Sequence, residues 1–192
     1  MSAAPPERIT SHPVVLRPFA LDDAVDVLRF CGDLDLAQMT GLIPHPYLPG
    51  MAETWIASHA RSRGDGTAYA WAITLSESGA VVGSIELRPS PEEIDSIGYW
   101  TGRPYWGRGY MTAAARAVVA IAFAQLDCEE LHATHLVRNP ASGQIMQKCG
   151  MRVLRRESRP HRGVLEEFVV WGITRAAWEK TVDSIGGQPA LD

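Results

Sequence analysis

The segment most able to do chemistry is Tyr105-Trp106-Gly107-Arg108-Gly109-Tyr110-Met111-Thr112. Gly107 and Gly109 permit a tight turn whose N–H groups face outward. The alanine-rich run that follows, 111–126, has no proline or glycine and reads as a helix. The first N–H groups of a helix lack intrahelical partners and stand at the positive end of its dipole, so this turn suits a phosphate or pyrophosphate. The same spacing also describes an ordinary strand-to-helix turn that binds nothing. Two nucleotide fingerprints are absent. A dinucleotide-binding turn would carry a third glycine where Thr112 stands, and a P-loop would carry Gly-Lys-Ser or Gly-Lys-Thr. Further along, Asn139 and Ser142 bracket the start of another helical stretch, where Asn139 reads either as a helix cap or as part of a site. His132 and His135 stand three apart on a predicted strand and point to opposite faces, which is poor geometry for sharing a metal.

The elements that must hold these residues follow from the hydrophobic pattern. Residues 14–16 read as a strand, and Leu21, Ala24, Val25 and Leu28 recur at helical spacing behind them. Pro44, Pro46 and Pro49 make 40–50 a loop of limited freedom, and 51–62 reads as a second helix. Strands at 68–75, 80–87 and 94–101, joined by short turn-rich connections, predict an antiparallel meander. Beyond helix 111–126 come a strand at 131–137, a helix at 141–148 and strands at 151–156 and 164–173. The order β-α-α-β-β-β-α-β-α-β-β predicts a single α/β domain over 13–179. Its sheet is expected to be mixed, antiparallel through the meander and parallel where the long helix crosses, with loose tails at 1–12 and 180–192.

Composition sets the outer limits. A chain of 192 residues, 46% hydrophobic, can bury one sizeable core and is short for two. A net charge of −4 gives no broad basic surface for nucleic acid or anionic membrane, so an anionic ligand has to be caught by local geometry. Cys31, Cys128 and Cys149 are odd in number and far apart, which argues against a disulfide framework or zinc site and fits a reducing compartment. The N-terminus has no targeting pattern, and no apolar run approaches the roughly 18 residues of a membrane span. The expectation is a cytoplasmic protein without metal.

Four segments in register carry a resemblance. Ile97-Gly98-Tyr99-Trp100, Tyr105 to Tyr110, Val137-Arg138-Asn139-Pro140-Ala141-Ser142 and Lys148-Cys149-Gly150-Met151 resemble the GCN5-related N-acetyltransferases (GNAT), in particular the branch containing the ribosomal-protein N-terminal acetyltransferases. Leu16-Arg17-Pro18 and Ile43-Pro44-His45-Pro46-Tyr47 extend the likeness upstream. The chain departs from the family's usual turn at both ends, with Trp106 first and Met111 last.

The resemblance implies an acetyl-CoA-dependent enzyme that moves acetyl onto a primary amine by direct attack; a protein N-terminus, a small amine and an amino-sugar drug are all open as acceptors. A CoA-binding module of the same fold without catalysis is the alternative, and a homodimer stays open. The implied cofactor contacts are Trp106, Gly107, Arg108, Gly109, Tyr110, Met111 and Thr112 at the pyrophosphate. Ile97, Gly98, Tyr99, Trp100 and Thr101 would lie along pantetheine where two strands splay, flanked by Asn139 and Ser142. Ser142 is the expected proton donor to the departing sulfur. Relatives often carry a glutamate where this chain has Ser96, leaving Glu86 and Asp95 as candidate bases, which face each other across the strands if Arg88 pairs with Glu93 over the 89–92 turn; Glu86 paired on the surface with Arg88 is the competing reading. Trp100, His45 and Tyr47 are the expected acceptor contacts. Arg155, Arg156, Arg159, His161 and Arg162 read as a solvated basic loop.

Overall fold

The computed structural model describes residues 4–89, 96–126 and 128–185. The chain opens with a hairpin, β1 (Ile9–Ser11) and β2 (Val14–Arg17), followed by α1 (Ala24–Cys31), α2 (Leu34–Gln38) and α3 (Met51–Gly64). The meander is β3 (Tyr69–Leu75), β4 (Val81–Leu87) and β5 (Ile97–Thr101), and α4 (Tyr110–Gln125) leaves it. Then come β6 (Glu130–Leu136), α5 (Pro140–Lys148), β7 (Arg152–His161), β8 (Val164–Thr174) and α6 (Arg175–Ile185). The α/β domain expected from the sequence is the one observed.

Two sheets form, one in the order β1-β2-β3-β4-β5 and one in the order β6-β8-β7. Every pairing among the described residues is antiparallel. The expected parallel ladder across α4 is therefore corrected: β5 and β6 lie side by side without pairing. A side chain bridges the gap at its closed end, where the His132 N–H donates to Ser96 Oγ at 3.1 Å. The unpaired edges leave backbone groups available to a ligand.

Three elements escape the sequence pattern. β1 lies in the expected tail 1–12, but Ile9 is buried opposite Leu16 and the Trp71 indole donates to Pro6 O at 3.2 Å. Three residues are too few to show a period. α2 is also short, capped by Asp33, which accepts from the Asp35 N–H at 2.9 Å. α6 carries helix into the expected tail 180–192 as far as Ile185, because no glycine or proline separates it from β8. Its Trp178 packs on Phe123 at 5.5 Å between ring centroids.

The sheet faces divide the core. α4 lays Met111, Ala114, Val118, Ile121 and Phe123 on one face, and fully burying residues of the larger kinds contributes about 1.5–3 kcal/mol each. On the other face α1, α2 and α3 gather Val27, Phe30, Leu36 and Ile56 around Trp100. Alternation along β5 thus sends Tyr99 to the α4 side and Trp100 to the α1–α3 side.

Candidate active site

Gly109 caps α4 in the left-handed region, φ +82°, and Gly107 before it has φ +72°. Side chains at these positions would meet open space, so it is the backbone conformation, not crowding within the protein, that calls for glycine. The first helical bond runs from the Ala113 N–H to Gly109 O, leaving the N–H groups of Tyr110, Met111 and Thr112 outside the helical ladder. The Trp106 indole donates to Thr101 O at 2.6 Å and ties the turn to the end of β5.

One cavity of about 1990 Å³ runs from this turn along the β5–β6 gap to the loop after α2. Ile97, Gly98, Tyr99, Trp100, Thr101, Trp106, Gly107, Gly109, Tyr110, Met111, Thr112, Asn139 and Ser142 all line it. Arg108 is exposed and is not among the lining residues.

At the waist of the cavity stands α5. Its cap is Asn139, whose Oδ1 accepts from the Ser142 N–H at 3.4 Å, so capping is an observed role of this residue. Ser142 is buried, and its Oγ lies 2.9 Å from the Tyr99 hydroxyl, which also reaches Ser142 O at 3.2 Å. Burial pushes the Tyr99 phenol well above its ordinary range. This hydroxyl pair was legible only in part, because nothing in the spacing links residue 99 to residue 142.

Glu86 lines the same cavity. It sits opposite Gly98, not opposite Asp95, so the expected facing of those two carboxylates is corrected; Asp95 itself lies outside the described residues. Arg88 Nε donates to Glu86 Oε1 at 2.7 Å, the pairing the sequence offered as an alternative. Gly98 makes room for it: a Cβ there would lie 2.7 Å from Arg88 Nη2.

The far end is lined by Tyr47 and Trp100, whereas His45 is exposed and outside the lining. Burial pushes the Tyr47 phenol up to about 12, with Cys31 and Glu53 adding to it. The basic segment read as a solvated loop is instead most of β7 and its turn into β8. Arg162, at φ +49°, donates to Ala37 O at 2.8 Å and to Ile43 O. His161 is buried, 3.4 Å from Gln38 O, and Arg138 reaches that carbonyl at 2.8 Å while pairing with Glu166. The two arginines meet the C-terminal carbonyls of α2, where the helix dipole favours positive charge, and the His161 ring lies against the same end. The sequence could not show this, since the partners are 100 to 125 residues apart.

Cys31, which lines this cavity, offers it no thiolate at neutral pH, because burial pushes its thiol up to about 12, as it does that of Cys149. Among the described residues no group of His, Cys, Asp or Glu could hold a metal ion, and no helix is long and apolar enough to cross a membrane. The arrangement is a set of outward backbone N–H groups at one end, a hydroxyl pair at the waist and an aromatic chamber at the other end.

Comparison with known proteins places this fold. The chain resembles the acetyltransferase (GNAT family) from Bacillus anthracis at 20% identity and TM-score 0.76, over 88% of this chain and 99% of that one. It resembles the ribosomal L7/L12 α-N-protein acetyltransferase RimL in complex with coenzyme A at 14% and 0.78, over 88% and 98%. The microcin C7 self-immunity acetyltransferase MccE, in complex with acetyl-CoA and AMP, matches at 14% and 0.74, over 85% and 93%. The family model for the acetyltransferase (GNAT) domain matches residues 14–152. With that match spanning most of the chain and the cavity built from the same segments, the protein belongs to the GNAT acetyltransferase family.

Proposed function

We propose that the enzyme transfers acetyl from acetyl-CoA directly to a primary amine, on a protein N-terminus or a small molecule. The observation that carries this reading is the single cavity joining the N-terminus of α4, the open β5–β6 gap, Ser142 and the aromatic chamber. The N–H groups of Tyr110, Met111 and Thr112 would hold the pyrophosphate, and pantetheine would pair with the free edges of β5 and β6. That two of the fold neighbours above carry CoA or acetyl-CoA supports the cosubstrate.

The amine enters from the chamber lined by Tyr47 and Trp100 and attacks the thioester carbon, and backbone N–H in the 97–99 stretch polarises the carbonyl. Glu86 takes the amine proton, directly or through water; Arg88 engages Oε1, so Oε2 is the accepting atom. The Ser142 hydroxyl donates a hydrogen bond to the departing sulfur. With Cys31 and Cys149 held as thiols, direct attack needs no covalent enzyme intermediate.

The test is thiol release from acetyl-CoA with peptides bearing free N-termini, small mono- and polyamines, and amino sugars. Release with one of these classes, matched by acetylated product, is the expected result. No release with any class, and no rise in melting temperature with CoA, would refute the reading.

A further inference from the structure

Tyr99 lies on β5 and Ser142 on α5, and their hydroxyls meet at 2.9 Å across the cavity wall. A hydroxyl has one hydrogen. If Ser142 gives its hydrogen to Tyr99, none is left for the sulfur; if Tyr99 gives its hydrogen to Ser142, the Ser142 hydrogen is free to turn into the cavity. The geometry accommodates the second arrangement: Ser142 Oγ at 2.9 Å and Ser142 O at 3.2 Å are two acceptors on one residue, so the single Tyr99 hydrogen can be shared between them with the shorter leg on Oγ.

We infer that Tyr99 is a positioning residue for the reaction: its hydroxyl donates to Ser142 Oγ and so commits the Ser142 hydrogen to the departing sulfur. The inference rests on the reading of Ser142 given above.

The proton balance supports a positioning role over a reservoir. Attack forms the C–N bond and turns the carbonyl into an oxyanion; collapse restores the carbonyl and breaks C–S, and the electron pair leaves on sulfur. The nitrogen loses one proton and the sulfur gains one, so the reaction as a whole consumes none. A free thiol titrates at ~8.5 and an unperturbed phenol at ~10. Burial pushes the Tyr99 phenol further up, so neither it nor an alcohol yields its proton to a thiolate for good. The pair stabilises the developing thiolate through two hydrogen bonds in series, and the proton released at nitrogen arrives on sulfur through solvent.

The experiment is a double-mutant cycle of Y99F, S142A and the pair, reading kcat and, by direct titration, the acetyl-CoA Kd. Y99F is expected to lower kcat roughly tenfold with Kd unchanged, and to cost nothing more once Ser142 is gone. S142A at the parental rate would remove both the Ser142 reading and this inference. S142A slow with Y99F at the parental rate, or the two effects multiplying, would overturn the role of Tyr99 alone. Should Y99F fail to fold, 3-fluorotyrosine at position 99 decides: it is nearly the same size and a better donor. A kcat at or above the parent's supports the donor direction, and a fall overturns it.

Discussion

The two ends of the cavity are built differently. At the α4 end the chain presents backbone: a turn at positive φ, free N–H groups of a helix and the open edges of two strands. At the α2 end it presents side chains, with Tyr47 and Trp100 on one side and a β7–β8 turn strapped to α2 by Arg138, His161 and Arg162 on the other. Backbone sites recognise what every cosubstrate molecule shares, whereas side-chain chambers can vary with the acceptor and leave the rest intact. The waist, where Tyr99 meets Ser142, belongs to neither end and is where the proposed transfer takes place.

This division predicts separable effects. The largest falls at the waist. Ser142→Ala should lower kcat by roughly 10²-fold with acetyl-CoA affinity nearly intact, as read by steady-state kinetics and direct titration. A change confined to Kd would make Ser142 a binding contact. Next is the backbone end. Gly109→Val should weaken CoA binding about tenfold or more in a folded protein, because the turn needs φ +82° and a branched Cβ would crowd the phosphate. Unchanged affinity would remove the turn from the cosubstrate site.

The acceptor end should respond in the opposite sense. Arg162→Gly keeps the positive φ but loses the bonds to Ala37 O and Ile43 O, a loss of roughly 1–3 kcal/mol. Acceptor KM should rise several-fold while CoA Kd stays put; a shift in CoA Kd instead would show that the two ends are not independent. The smallest and most conditional effect is at Glu86. Glu86→Gln should depress kcat/KM most below the acceptor's own pKa, where neutral amine is scarce, and approach the parent as pH rises. Asp95→Asn belongs beside it, and two parental pH profiles would leave solvent as the proton acceptor.

The same division explains what could be read in advance. The glycine turn, the β5 segment and the Asn139–Ser142 start of α5 are contiguous runs in which fixed spacings of Gly, Asn and Pro set local geometry, and they were legible. The meander register was legible only approximately. A shift in where the β4–β5 pairing closes placed Asp95 opposite Glu86, and the fold puts Gly98 there. The strap on α2 was not legible at all. Arg162 and Ala37 are 125 residues apart, and a basic run between two strands looks the same whether water or a helix end receives it. Short elements such as β1 and α2 fall below the length at which a period shows.

The most direct test of transfer between the two ends is a single turnover with acetyl-CoA and enzyme in comparable amounts, with and without an acceptor amine. Without amine, the account predicts neither free thiol nor acetylated enzyme; on adding amine, CoA thiol and acetylated amine should appear together in equal amounts. Thiol release without amine, with the acetyl group found on the protein, would contradict it.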